Sequence, residues 1–298
     1  MSEDIDQPSA LSSEPEKFAV LPKGSSPMQE EKPDGAVIVR PGSKIRLARI
    51  DPDSKPGSSK RGSVKQIKKL QERLAKLQEA LYAENRHSLL VVFQAIDTGG
   101  KDGAIKNLCL GLDPNGVELT NFKAPSAEEL EHDFLWRIHK ATPRKGAIGI
   151  WNRSHYEDVL VPRVHKQISR KVWRERCEDI NTFENLLSRH GVTTLKFFLY
   201  ISKDEQKARL EDRLKDPEKI WKFNPGDLKE RALWDDYHRA FEDAINACAT
   251  DYAPWYIIPA NRKWARNLTT LQIVVDTLEV MKPQYPPPQF DPKTVTID

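Results

Sequence analysis

The sequence predicts an α/β protein in which helices cover both faces of a five-stranded parallel sheet. Short apolar runs, typical of buried strands, alternate with helical patterns along most of the 298-residue chain. A strand that returns parallel to its predecessor needs a crossover connection, usually a helix, so this alternation favours a three-layer fold. Gly146 and Gly191 lie in predicted turns between segments. The predicted strands are 89–96, 117–122, 147–151, 193–201 and 255–259.

Capping residues and apolar periodicity place the helices between these strands. Ser63 and Gln66 form a predicted capping box, followed by apolar residues three and four apart as far as Leu81. Ser126 and Ser202 begin two later helices in the same way. The helices predicted after the first are 101–112, 126–140, 169–189, a segment from 202, 228–249 and a last segment that ends at 281.

Composition divides the chain into one domain and two short ends. Residues 1–35 are rich in Pro, Ser and charge, which predicts a flexible N-terminal arm, and residues 286–298 form a C-terminal tail. Residues 36–285 are expected to form a single domain. The chain has no apolar run near the roughly 20 residues of a membrane helix and no secretory signal pattern. Cys109, Cys177 and Cys248 show no metal or disulfide spacing, so we expect a cytoplasmic protein.

Positive charge is concentrated in one part of the chain. The net charge is only +3, but the run from Arg137 to Arg176 has eleven Lys or Arg against three acidic residues. Such a run is either a solvated face or a surface that binds a polyanion, and its position beside the second motif described below favours the polyanion.

The first predicted strand leads into a Gly-rich segment, Ala95-Ile-Asp-Thr-Gly99-Gly100-Lys101. A strand, such a loop and then a helix present backbone N–H groups and one ammonium to phosphate. The alternative is a simple strand-to-helix turn with a solvated lysine. The candidate phosphate-binding residues here are Thr98, Gly99, Gly100, Lys101, Asp102, Gly103 and Lys106.

Two carboxylates distinguish this loop from the usual phosphate loop. Asp97 lies inside it, and Asp102 stands where a Ser or Thr is expected. A carboxylate beside bound phosphate is repelled unless a metal ion lies between them, so the segment predicts Mg²⁺ at Asp97. Asp102 is open to two roles, as a metal ligand or as a cap of the following helix.

A second motif, residues 152–158, follows another buried strand. Arg153 offers a planar fork for phosphate oxygens, and Glu157 and Asp158 offer the hard oxygen ligands that Mg²⁺ prefers. The alternative is a helix N-terminus at which the carboxylates only stabilise the dipole. A packed or hydrogen-bonded role is favoured over acid–base chemistry for His155. The candidate nucleotide-binding residues are Asn152, Arg153, His155 and Glu157.

A third, cationic segment is predicted to be a lid, at about residues 205–228. Arg209 and Arg213 are four residues apart and therefore share a helix face, and Lys222 follows in the next loop. Such cations can close over phosphates and exclude water. The alternative is a surface helix stabilised by internal charge pairs.

Segments 94–103, 151–161, 195–206, 221–228 and 252–261 together resemble the family-2 polyphosphate kinases, and most closely their class III branch. The resemblance implies a P-loop kinase fold similar to thymidylate kinase. It implies reversible phosphoryl transfer from inorganic polyphosphate to AMP or ADP, giving ADP and ATP, with Mg²⁺ or Mn²⁺. It also implies a homo-oligomer, a dimer or tetramer, with neither nucleic acid nor membrane as a partner.

The resemblance also assigns roles to residues. The family's loop aspartate and lysine match Asp97 and Lys101, and its second-motif arginine and aspartate match Arg153 and Asp158. These four are the expected catalytic residues, with Asp97 and Asp158 as metal ligands. Two alternatives to this activity are an ATP-dependent nucleoside monophosphate kinase and a non-catalytic nucleotide- or nucleic-acid-binding protein. The second is disfavoured because a simple binder needs cations but not metal-binding carboxylates.

Overall fold

One mixed sheet organises the protein, and the computed structural model describes it within residues 35–297. The arm predicted for residues 1–35 lies outside the described residues, apart from Gly35. The strands are β1 (Val37–Val39), β2 (Ser88–Gln94), β3 (Val117–Asn121), β4 (Ile148–Asn152), β5 (Val192–Tyr200) and β6 (Trp255–Pro259).

The spatial order of the strands is β1-β6-β5-β2-β4-β3. The pairs from β6 to β3 are parallel, as predicted, and β1 pairs with β6 in the antiparallel direction. The prediction of five strands was therefore wrong by one. Strand β1 has only three residues, too few for an alternating pattern to be visible in the sequence.

Ten α-helices occur in the described residues. They are α1 (Lys60–Glu84), α2 (Lys101–Leu108), α3 (Ala127–Leu130), α4 (Trp136–His139), α5 (Glu157–Val164), α6 (Arg170–Arg189), α7 (Lys203–Lys215), α8 (Gly226–Ala232), α9 (Trp234–Ala247) and α10 (Lys263–Met281). Within this part of the chain, none of the helices has the length and apolarity needed to cross a membrane.

Four of the predicted helices differ from the structure. Helix α2 ends at Leu108, four residues before the predicted end at residue 112. Helix α1 begins after Ser59, whose hydroxyl accepts from Gly62 N at 3.1 Å, so Ser63 lies in the first turn and does not cap the helix. The helix predicted over 126–140 is two short helices, α3 and α4. The helix predicted over 228–249 is also divided, into α8 and α9, because the chain leaves helical geometry at Leu233.

Helices cover both faces of the sheet, which confirms the three layers. On one face α1, α2 and α10 pack against the side of β2 that carries Leu89, Val91 and Phe93. On the other face α5, α6 and α9 pack against Phe198 and Trp255 of β5 and β6. Because β2, β4, β5 and β6 are parallel, their carboxyl ends lie at one edge of the sheet, where ligands bind in folds of this class.

Candidate functional site

A cleft of about 600 Å³ lies at this edge of the sheet. The β2–α2 loop, the end of β4, the lid segment (residues 205–228) and the start of α10 form its walls. Its lining includes eight Lys or Arg and four Asp, so the cleft is suited to a polyanion. These are Lys101, Arg153, Arg209, Arg213, Lys219, Lys222, Lys263 and Arg266, with Asp97, Asp102, Asp212 and Asp227.

The predicted phosphate loop forms the floor of the cleft. Thr98 and Gly100 have φ angles of +62° and +99°, so the backbone turns back sharply before α2 begins. The Lys101 side chain is buried, and its ammonium donates to Ala95 O at 3.0 Å, across the loop. A βα loop that opens a helix directs its amides toward the space in front of it, a geometry that can hold an anion. All the predicted phosphate-binding residues of this loop except Lys106 line the cleft.

We expect phosphate binding at Lys101 to weaken as pH rises, and to do so at a lower pH than binding at an ordinary lysine would. Burial and the nearby Arg153 guanidinium lower the pKa of Lys101, against the opposing effect of Asp97. The ammonium charge is present below that pKa and is lost as pH rises through it. Titration calorimetry with polyphosphate, the ligand that the family resemblance implies, should show that the affinity of the wild type falls as pH rises through the pKa of Lys101. This loss of affinity should be absent in Lys101→Arg, because the guanidinium stays charged over the same pH range. An equal loss of affinity in both proteins would contradict the role of Lys101 in phosphate binding.

Arg153 stands between two carboxylates. Its Nη2 lies 2.6 Å from Asp97 Oδ1 and its Nη1 lies 3.0 Å from Glu157 Oε2. Burial lowers the pKa of Arg153, but Glu157 and Asp97 outweigh that effect and raise it, so the guanidinium is firmly charged. The residue has a φ of +65°, which turns the chain between β4 and α5. The structure thus brings together Asp97, Lys101 and Arg153, three of the four predicted catalytic residues.

Asp158, the fourth predicted catalytic residue and second metal ligand, does not line the cleft. Its Oδ2 lies 3.6 Å from Arg137, and its backbone carbonyl accepts from Arg176 at 2.7 Å. Burial raises the pKa of Asp158. Successive residues of a helix point about 100° apart, so when Glu157 faces Arg153 its neighbour must face elsewhere.

The predicted nucleotide-binding residues also separate. Asn152 lines the cleft, where its amide donates to Asp102 Oδ1 and Asn121 Oδ1, each at 3.0 Å. His155 is buried away from the cleft, as the packed role expects. Asp102 is 69% exposed and lies in the first turn of α2, where a carboxylate also favours the helix dipole.

The lid cations occupy two different positions. Arg213 and Lys222 line the cleft beside Trp221, which is 75% exposed. Each lies near a carboxylate of the same cleft, Arg213 at 3.6 Å from Asp227 and Lys222 at 3.8 Å from Asp102. Arg209 is buried, pairs with Glu205 at 2.7 Å, and donates to Thr98 O at 3.1 Å. Arg209 therefore stabilises the backbone of the phosphate loop.

Several residues of the cleft were missed by the sequence reasoning, and Arg266 is the most informative. Its buried guanidinium donates to Gly100 O at 3.0 Å, and burial together with Arg209 lowers its pKa to about 10. Arg266 lies in the first turn of α10, which follows β6. The one sequence feature that could have placed it at the cleft is that β6 ends at the same edge of the sheet as β2. Lys263, Asp212 and Asp227 were also missed.

The basic run from Arg137 to Arg176 contributes little to the cleft. Of its members only Arg153 is part of the lining. Others are engaged outside it: Arg144 pairs with Glu118, and Arg163 pairs with Asp243. The other seven cations of the cleft come from the phosphate loop, the lid segment and α10.

Known proteins are similar to this chain in sequence. Residues 57–286 match the family described as polyphosphate kinase 2 (PPK2). The AMP/ADP-polyphosphate phosphotransferase of Meiothermus ruber is 48% identical over 262 residues, which cover 87% of this chain and 98% of that protein. The ADP-polyphosphate phosphotransferase of Rhodopseudomonas palustris is 43% identical over 72% of this chain and 78% of that protein.

A solved structure has the same architecture. The crystal structure of polyphosphate kinase 2 from Arthrobacter aurescens TC1 superposes with a TM-score of 0.83 at 44% identity. The match covers 85% of this chain and 91% of that one.

Proposed function

Because this chain belongs to the polyphosphate kinase 2 family, we propose that it transfers phosphoryl groups reversibly between inorganic polyphosphate and the nucleotides AMP and ADP. It is a polyphosphate-dependent nucleotide kinase, and therefore a phosphotransferase. The observation that carries this function is the cleft, in which Lys101, Arg153 and the lid cations converge from separate segments. Use of both AMP and ADP, as in the class III branch, is supported by the name of the relative at 48% identity.

The residues of the cleft suit direct in-line transfer between two bound anions. Lys101 and the loop amides would hold the transferring phosphoryl group. Arg153, Arg213 and Lys222 would stabilise its equatorial oxygens, where charge is spread in the transition state. With donor and acceptor bound together in the cleft, the transfer would need no covalent phosphoenzyme.

Two carboxylates of the cleft, Asp97 and Asp227, are our candidates for holding a divalent cation. Burial raises the pKa of Asp227, and so does the negative charge of nearby Asp97, which means that the two carboxylates repel each other. Mg²⁺ in such enzymes commonly takes one or two carboxylates and completes its shell with phosphates and water. We propose Asp97 as its principal ligand with Asp227 on the lid side, in place of Asp158; Mn²⁺ is an alternative. The bound ion would neutralise charge between two polyanionic substrates.

One progress curve followed by phosphorus NMR tests the function. Starting from AMP, polyphosphate and Mg²⁺ without ATP, we expect ADP to appear first and ATP later. Omission of polyphosphate is the control and should leave AMP unchanged. If ADP forms only when ATP is supplied, the chain is an ATP-dependent nucleoside monophosphate kinase and the proposal fails.

Three finer proposals remain. We propose that the fold is a thymidylate-kinase-like P-loop fold, supported by the loop, lid and strand arrangement described above. The family resemblance supports a homo-oligomer, a dimer or tetramer, which light scattering would measure. The free thiols of Cys109, Cys177 and Cys248 are compatible with a cytoplasmic location.

A further inference from the structure

A buried ion pair lies beneath the second motif and has no part in the mechanism above. Lys196 of β5 is fully buried, and its ammonium donates to Glu184 Oε2 at 2.6 Å. It also donates to the Tyr156 hydroxyl at 2.9 Å and to Cys248 O at 2.7 Å. Lysine and glutamate are almost never fully buried unless they are paired, so this arrangement calls for an explanation.

The second oxygen of Glu184 binds the motif itself. Glu184 Oε1 accepts from the Tyr156 hydroxyl at 2.8 Å and from His155 Nε2 at 3.1 Å. Burial raises the pKa of Glu184, but Lys196 and His155 outweigh it and lower that pKa, so the carboxylate is ionised at neutral pH. Burial raises the pKa of Tyr156 well above its usual range, so its hydroxyl keeps the proton that it donates.

These two anchored residues lie in the chain between Arg153, which lines the cleft, and Glu157, which pairs with Arg153. Arg153 precedes His155 and Tyr156 in the chain, and Glu157 follows them, paired with Arg153 at 3.0 Å. Ser154 is also buried, and its hydroxyl accepts from Tyr156 N at 3.2 Å. Buried side chains therefore fix one side of the segment, while the other side faces Asp97 and the cleft.

We propose that Glu184, held by Lys196, is a positioning residue that, through His155 and Tyr156, fixes Arg153 in the cleft together with its ion-pair partner Glu157. The inference rests on the proposed function, because the role of Arg153 comes from it. A buried ion pair is a poor source of net stability, since well-packed apolar residues of similar volume often replace one without loss. A purely structural pair would therefore be replaceable, whereas a positioning residue needs its oxygen to accept from Tyr156 and His155.

Two double variants separate these roles: Glu184→Gln with Lys196→Met, and Glu184→Leu with Lys196→Met. Both remove the ion pair at nearly constant volume, but only the glutamine keeps an oxygen for Tyr156 and His155. We expect the leucine variant to have kcat about 100-fold lower than the glutamine variant, a loss typical of misplaced catalytic groups, with little change in KM for polyphosphate. Equal kcat values in two folded variants would overturn the proposal.

The same comparison in an Arg153→Lys background tests whether the effect passes through Arg153. Substitutions at residues that act as one unit do not have additive effects on kcat. The difference in kcat between the two double variants should therefore nearly vanish in the Arg153→Lys background, as measured by long-incubation phosphorus NMR. An undiminished difference would overturn the proposal.

Tyr156→Phe keeps the inference testable if the leucine variant does not fold. The substitution removes only the hydroxyl that donates to Glu184 and leaves the contact between His155 and Glu184 in place. Because one of the two anchoring contacts is lost, kcat should fall about tenfold in the wild-type background. Unchanged kcat in Tyr156→Phe would contradict the positioning role. An inactive wild type would overturn the proposed function and this role with it, whereas active wild type with unaffected variants would overturn the positioning role alone.

Discussion

Asp97→Asn is expected to lower kcat/KM by about 1,000-fold, equivalent to roughly 4 kcal/mol of transition-state stabilisation. The substitution keeps the size of the side chain and removes the negative charge that would bind the cation. Arg153 stays paired with Glu157, at 3.0 Å, so the free energy of unfolding should change little. Kinetics over a range of Mg²⁺ concentrations, together with urea unfolding, would measure both effects.

Asp102→Asn is the matched control within the same loop. The Asp102 side chain is 69% exposed and contacts Asn152 at 3.0 Å, so it contributes less to a cation held inside the cleft. We expect less than about a tenfold loss of kcat/KM, as for a surface charge at a helix terminus. Near wild-type activity of Asp97→Asn would exclude the assignment, and a large loss only in Asp102→Asn would move the metal ligand to that residue.

Gly100→Ala should disable the phosphate loop and destabilise the fold. Gly100 has a φ of +99°, and an added Cβ would overlap the Arg266 guanidinium, which is itself buried and bound to Gly100 O. Left-handed backbone costs an alanine roughly 1–2 kcal/mol, and displacement of Arg266 adds to that, for a total of about 3 kcal/mol. Because the loop amides move as well, kcat/KM should fall about 100-fold.

Gly111→Ala isolates the backbone contribution. Gly111 has a φ of +85°, but no atom lies within 4 Å of the Cβ that alanine would add. Urea unfolding should therefore show a loss of only about 1 kcal/mol, with kcat/KM unchanged. If the two variants are equally destabilised and equally active, the contact between Gly100 and Arg266 has no role in the loop.

The predictable part of the fold followed from local pattern. The alternation of strands and helices identified the five parallel strands and the three layers. Strand β1 was missed because its three residues pair with β6, which lies more than 200 residues away in the sequence. The breaks between α3 and α4, and at Leu233 between α8 and α9, were missed because the helical pattern looks continuous in the sequence across both of them.

The site was predictable where it depended on motifs at neighbouring strand ends. Strands β2 and β4 are adjacent, so the residues that follow them, Asp97 and Arg153, had to lie close together. Sequence could not show which of Glu157 and Asp158 pairs with Arg153, because one residue of helix rotation decides which side chain faces it. Arg266 carried no motif, and only the folded sheet brings it to Gly100.

The short antiparallel strand β1 limits how far the protein can be truncated at its N-terminal side. The region matched by the family begins at residue 57, but Val37 to Val39 cover the edge of β6, and Asn261 N donates to Pro52 O at 3.2 Å. A fragment trimmed to residues 57–286 would leave the backbone groups of an apolar strand unpaired at the end of the sheet, where strands of two molecules can join. The region matched by the family is thus shorter than the region needed to cover the edge of the sheet. We expect an expressed fragment that starts at residue 57 to aggregate.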